Sequence, residues 1–254
     1  MQDIASLLKD IPYWEDGHLL HFIPDENARP YWSQALNQYL TASSMDLQMS
    51  KRYKSQKAMM TKDEKHRRFV DFIWAPHGVK VDLASGPSGY FAPALDMLVP
   101  TDTFIITDAC PSVLAAHADV CRQEQVFVFD VDLDGGLPFL DESVDAFSGN
   151  LLNNVEHYAG LVREAFRCLK PGGRLAVIEM FFDHGCKTSE HLHSQNSVWA
   201  SFETFVAFCE SVGFTYVGSD VLCTRKGKIS QGDLYPLDEN DGSTDRTVYF
   251  KKSS

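Results

Sequence analysis

The chain has no apolar run approaching the ~20 residues that span a bilayer. It also shows no internal repeat and no low-complexity tract. Its start, MQDIASLLKDIPYWEDG, lacks the basic stretch and apolar core of a secretory leader. The six cysteines, Cys110, Cys121, Cys168, Cys186, Cys209 and Cys223, are scattered and include no C-x-x-C pair, which argues against a disulfide framework. Positive charge is scarce, with 23 Lys and Arg against 35 Asp and Glu. A field of that sign repels phosphate backbones and anionic lipid surfaces. These absences predict a soluble, cytoplasmic protein with reduced thiols that engages neither nucleic acid nor membrane. Its 254 residues suffice for one large domain with a real core.

Up to about His77 the chain reads as helical, because YWSQALNQYL and DEKHRRFVDFI repeat apolar residues at three- and four-residue spacing. Between them MSKRYKSQKAMMTK, the most basic stretch, reads as a solvated helix face or a connector. From Val79 short β-rich runs (VKVDLA, TFIITD, VFVFD, VDAFSGN, RLAVIEMFF) alternate with helical ones, including FAPALDMLV, PSVLAAHADVC and HYAGLVREAFRCL. That rhythm predicts an α/β fold with a doubly wound, mostly parallel sheet. SFETFVAFCESVGF follows as a helix capped by Ser201 and stopped by Gly213. TYVGSDVLCT and RTVYFKK then pair as an antiparallel edge hairpin, joined by a polar connector long enough to be mobile or functional.

The stretch VKVDLASGPSGYF delivers a strand into a turn where Gly86 and Gly89 let backbone approach a ligand closely. Ala84-x-Gly86-x-x-Gly89 is a loosened G-x-G-x-x-G, which serves a nicotinamide or flavin dinucleotide as readily as another nucleoside cofactor. Asp82 suits a ligand that carries an ammonium group better than a pyrophosphate. Asp108, at the end of the next strand, can accept ribose hydroxyls from any adenosine cofactor, and it can equally cap the helix starting near Pro111.

VDLASGPSGYF, ITDACPSVL, DLDGGLPFLDESVDAF and REAFRCLKPGGRLAVIE, taken in order over about 79–179, resemble the successive motifs of class I S-adenosylmethionine-dependent methyltransferases. LPF-x-D-x-x-x-D and L-K-P-G-G-x-L are the specific ones. The resemblance implies a Rossmann-like, seven-stranded sheet with a reversed last strand, a helical N-terminal cap over 1–77 and a cofactor-binding core over 78–254. It implies that Asp82, Ala84, Gly86 and Gly89 surround the methionine part of S-adenosylmethionine, while Asp108, with Ala109 beside it, holds the ribose. Asp132 and Leu133 would meet the adenine, with Asp130 competing for that place. Asn150 and Leu151 would line the sulfonium side. Ala84 departs from the family's usual glycine, a mild change if its φ is negative.

The methyl acceptor is expected to be a small organic molecule, held by aromatics among Tyr13, Trp14, Tyr31, Trp32, Tyr53 and Trp199. His184 and His193 in DHGCKTSEHLHS, and His157 in NNVEHY, are candidate bases. The spacing H-x-C-x₄-H-x-H fits no ordinary zinc pattern, so no metal is expected. An NAD(P)-dependent oxidoreductase and a non-catalytic partner of the same fold stay as alternatives. A homo-oligomer stays open as well.

Overall fold

The computed structural model describes residues 4–42, 48–152, 155–195, 197–227 and 241–253. Five parallel strands form the centre: β3 (Val79–Leu83), β4 (Thr103–Asp108), β5 (Val126–Asp130), β6 (Val144–Asn150) and β7 (Leu169–Phe182). They lie in the order β5-β4-β3-β6-β7. β3 and β4 are buried along their whole length and β5 nearly so, as strands covered by helices on both sides must be. The order reverses between β3 and β6, so the ligand crevice of a doubly wound sheet falls at their carboxyl ends.

β8 (Phe214–Lys226) and β9 (Gly242–Lys252) form the expected hairpin, with β9 antiparallel to β7. The connector between them, 228–240, lies outside the described residues. The sheet has nine strands rather than seven. β1 (Trp14–Asp16) and β2 (Leu19–His21) form a tight hairpin, and β2 runs parallel to β5 at the opposite edge. Three-residue strands show no readable alternation, so the helical reading of this N-terminal stretch passed over them.

α1 (Tyr31–Ala42), α2 (Met49–Met60) and α3 (Glu64–Trp74) follow. The basic stretch is thus α2, which buries Met49, Tyr53 and Met60 and turns its lysines outward. α2, α3 and α4 (Pro111–Val120) contribute to the core on one face of the sheet. α5 (Tyr158–Cys168), α6 (Lys187–Ser194) and α7 (Phe202–Val212) contribute to the core on the other. Ser201 Oγ accepts from Thr204 N at the start of α7, and Gly213 closes it at φ 118°. FAPALDMLV makes only a 3₁₀ segment at Ala92–Met97. No helix among the described residues is long and apolar enough to cross a membrane.

Candidate active site

Three carboxylates stand at or just beyond the carboxyl ends of three neighbouring strands: Asp82 on β3, Asp108 on β4 and Asp132 after β5. Asp82 is 5% exposed and accepts from Ser148 Oγ on the adjoining strand β6. Burial pushes its carboxyl up to about 6, against the pull of the Ser148 hydrogen bond. The groups acting on it include no cation, and Asp108 opposes its ionisation further.

Asp108 holds the glycine loop. Its Oδ2 accepts from Gly86 N at 2.9 Å, while Oδ1 accepts from Ala109 N and Cys110 N at 2.8 and 2.7 Å. Burial nonetheless pushes it up to about 6. The two readings of this residue meet in one carboxylate: it satisfies backbone amides just ahead of α4 and also closes the ligand turn.

The loop is left-handed at three points, with φ of 45° at Ala84, 56° at Gly86 and 64° at Gly89. The positive value at Ala84 corrects the expectation of a mild change, because an alanine pays steric strain there. Leu151, after β6, is also left-handed at φ 53°. Of the three non-glycine residues with left-handed backbone among those described, Ala84, Glu142 and Leu151, two follow the strands that flank the crevice, and such strain concentrates at functional sites.

The two glycines of the loop differ in their surroundings. A Cβ on Gly86 would meet nothing nearer than Ala84 O at 3.7 Å, so its face is open. A Cβ on Gly89 would lie 2.6 Å from Tyr53 Cε1, so α2 fills that side. Tyr53 also donates to His117 Nδ1 at 2.6 Å, and His117 Nε2 donates to Gly86 O at 2.9 Å. Burial holds the His117 imidazole down at about 4, which keeps it neutral and able to serve as acceptor at one nitrogen and donor at the other. Gly86 therefore has its N–H fixed by Asp108 and its carbonyl by His117.

Asp130 is fully buried and committed elsewhere. Arg29 bridges it bidentately at 2.7 and 2.9 Å, and His21 Nδ1 lies 2.9 Å from Oδ2. Asp132 accepts from Asp134 N at 3.0 Å and lines a cleft of about 1080 Å³. Burial raises its carboxyl above the usual range. Leu133 is buried behind it. Asn150 is half-buried at the end of β6, and Leu151 N donates to Ile178 O at 2.7 Å.

The candidate bases do not come together. His157 lines the large cleft, where its Nδ1 lies 3.4 Å from Asp134 Oδ1. His184 and His193 line a separate, smaller cavity with Phe182 and Arg246. Of the six aromatics, Tyr31, Trp32 and Trp199 line the large cleft. Tyr13 packs on Phe22 and Trp14 stacks on His21, while Tyr53 serves the glycine loop. No cluster of metal-binding side chains occurs among the described residues.

The sequence reading missed Ser148, Arg29, His117 and Glu179. Ser148 had a signal, a hydroxyl inside an otherwise apolar strand. Glu179 had a similar one: this buried residue of β7 accepts from Tyr158 Oη at 2.6 Å and from Leu152 N, and burial pushes it up to about 7. Arg29 and His117 had none, since their partners lie far along the chain.

Residues 81–177 match the family model described as a methyltransferase domain. Demethylmenaquinone methyltransferase of Tropheryma whipplei is 38% identical over 78 residues, which cover 30% of this chain and 31% of that protein. The match thus spans about a third of that relative's length. Geranyl diphosphate C-methyltransferase from Streptomyces coelicolor, solved with Mg²⁺, geranyl diphosphate and S-adenosyl-L-homocysteine, is 13% identical with a TM-score of 0.54, covering 74% of this chain and 78% of that one. The [4+2]-cyclase SpnF is 17% identical with a TM-score of 0.53, over 74% of this chain and 80% of that one. At these identities the two structures share the fold. The architecture is the Rossmann-like α/β one that these structures share.

Proposed function

We propose that the protein transfers a methyl group from S-adenosylmethionine to a small organic acceptor. The observation that carries this reading is the buried carboxylate of Asp82 near the end of β3, just ahead of the left-handed loop through Gly86, with Asp108 at the end of β4 and Asp132 just beyond β5. A ligand with an ammonium at one end and an adenosine at the other fits that donor set, whereas a pyrophosphate beside Asp82 would be repelled. The Streptomyces structure of this fold was solved with the product form of the same cofactor bound.

In this reading Asp82 receives the ammonium, and Asp108 adds the ribose hydroxyls to the amides it already holds. Asp132 takes the exocyclic amine of the adenine, with Leu133 behind it. Asn150 and Leu151 line the side where the methyl group departs. When bound, the cofactor supplies a methyl group already activated on a sulfonium. The protein's share is then alignment and exclusion of water, and orientation of this kind can contribute roughly 7–11 kcal/mol. The helices of the N-terminal 77 residues serve as the cap, and Trp199 with His157 borders the acceptor. Where the acceptor carries a proton, His157 is the base placed to take it, oriented by Asp134. His184 and His193 belong to the neighbouring cavity.

The test is release of S-adenosylhomocysteine from S-adenosylmethionine over a panel of small hydroxy, amino and aromatic acceptors. Acceptor-dependent release supports the proposal. Cofactor binding with no release from any acceptor favours a non-catalytic partner, and turnover of NADH favours an oxidoreductase.

A further inference from the structure

α6 separates two cavities. Its His191 and Leu192 border the large cleft, while Ser189 and His193, one turn apart, border the smaller one. The smaller cavity holds about 340 Å³, and none of its lining residues touches the large cleft. Arg246 on β9 reaches it from the sheet. The guanidinium Cζ lies 4.6 Å from the centroid of the Phe202 ring, at the start of α7. A cation–π contact fixes the group and leaves most of its five N–H donors unused. Its hydrogen bond is a long one, from Nη1 to Ser219 Oγ at 3.5 Å. Glu179 is its neighbour in register on β7, but that carboxylate accepts from Tyr158 and Leu152 instead. Among the described residues no carboxylate pairs with Arg246, although a half-buried cation normally has such a partner.

The polar groups around it are equally uncommitted. Ser189 is 2% exposed and its N–H donates to Cys186 Sγ, yet its hydroxyl makes no hydrogen bond among the described residues. The same holds for the Thr244 hydroxyl and the imidazoles of His184 and His193, all of which line the cavity. Two carboxylates border it as well. Asp183 lies against Gly242, where a Cβ would collide with its Oδ2, and Glu203 is exposed in the first turn of α7. Phe181, Phe182 and Phe202 supply the apolar part of the lining.

We propose that this cavity is a second ligand site, which binds a small organic anion through Arg246. The planar guanidinium fork matches the paired oxygens of a carboxylate or a phosphate. The hydroxyls of Ser189 and Thr244 and the imidazole N–H groups add neutral donors around it. A volume of about 340 Å³ exceeds what a bare oxyanion fills, so the phenylalanine rings receive an apolar body attached to the anionic group. The site stands apart from the cofactor crevice, and its assignment does not depend on the methyltransferase reading.

The experiment is titration of phenyl phosphate, benzoate and inorganic phosphate into the protein, by calorimetry and ligand-observed NMR, with and without S-adenosylhomocysteine. At least one of the two aromatic anions should bind, more tightly than inorganic phosphate, and the tighter of the two identifies the anionic group preferred. Binding should persist at saturating S-adenosylhomocysteine. Arg246→Met keeps the apolar stem against Phe202 and removes the charge, so Kd should rise about tenfold or more. Ser189→Ala and His193→Ala each remove one neutral donor and should raise it about two- to tenfold. The exposed position of His193 keeps that variant decisive if Arg246→Met fails to fold. Failure of both aromatic anions to bind overturns the proposal. So does wild-type affinity in folded Arg246→Met or in His193→Ala, inorganic phosphate binding as tightly as phenyl phosphate, or displacement of the probe by S-adenosylhomocysteine.

Discussion

Ser148 on β6 donates to the buried carboxylate of Asp82 on β3, across the seam where the order of the strands reverses. The hydroxyls of Ser148 and Ser85 are a modest counterweight to a desolvated charge, and Asp82 accordingly sits at about 6 rather than 3.8. The folded protein thus holds a proton that the unfolded chain has released. The corresponding stability is present below about pH 4 and is lost as the pH rises toward 6. Asp108, also at about 6, and Glu179, at about 7, act in the same sense. Asp82→Asn should therefore raise the melting temperature of the ligand-free protein at pH 8, by about 1–3 kcal/mol of stability, and change it little at pH 4. The same variant should weaken S-adenosylhomocysteine binding by ~1.5–3 kcal/mol, the worth of a hydrogen bond to a charged group. Thermal melts at the two pH values and a titration check both signs.

Asp108→Ala would leave the N–H groups of Gly86, Ala109 and Cys110 without their acceptor. Each unmet buried donor costs about 1–3 kcal/mol. The variant should lose both stability and cofactor affinity, whereas Asp108→Asn should retain part of each. An affinity unchanged in folded Asp108→Ala would remove the ribose assignment.

Ala84 offers a substitution expected to stabilise. Its left-handed backbone costs an alanine about 1–2 kcal/mol, and glycine gives back only about 0.5–1 in unfolded-chain entropy. Ala84→Gly should raise Tm by ~1–4 °C. Ala84→Val should lower it. A differential scanning melt of the three proteins decides the matter.

The separation of the histidines gives a kinetic prediction. His184→Ala and His193→Ala alter a cavity apart from the large cleft and should leave turnover within about twofold, with surface-like effects on stability. His157→Ala should lower kcat by roughly 10²-fold or more for an acceptor that must lose a proton. It should matter little for an acceptor that is already a free nucleophile. Steady-state rates on both acceptor types separate the two behaviours.

The core was legible in the sequence because its signals are local. TFIITD and VFVFD are short, largely apolar runs ending in a carboxylate, VKVDL carries one at its penultimate position, and the α7 helix carries its own stop signs in Ser201 and Gly213. Asp82, Asp108 and Asp132 could be found because strand ends are where chain direction and ligand chemistry coincide. What escaped is non-local. Arg29 gains meaning only through Asp130, and His117 only through Tyr53 and Gly86. The β1–β2 hairpin is stabilised by the edge of β5 rather than by its own three-residue strands. The sign of φ at Ala84 is set by how the loop is held at Gly86, which no side-chain pattern records. The histidines fell into two cavities because α6 intervenes between His184 at its approach and the cleft lined by His157.

Calorimetric titration of S-adenosylhomocysteine, run beside NADH on the same protein, tests the central claim most directly. One-to-one binding of S-adenosylhomocysteine is expected, with a Kd that rises in Asp82→Asn, and no binding of NADH. Binding of NADH with none of S-adenosylhomocysteine would contradict it.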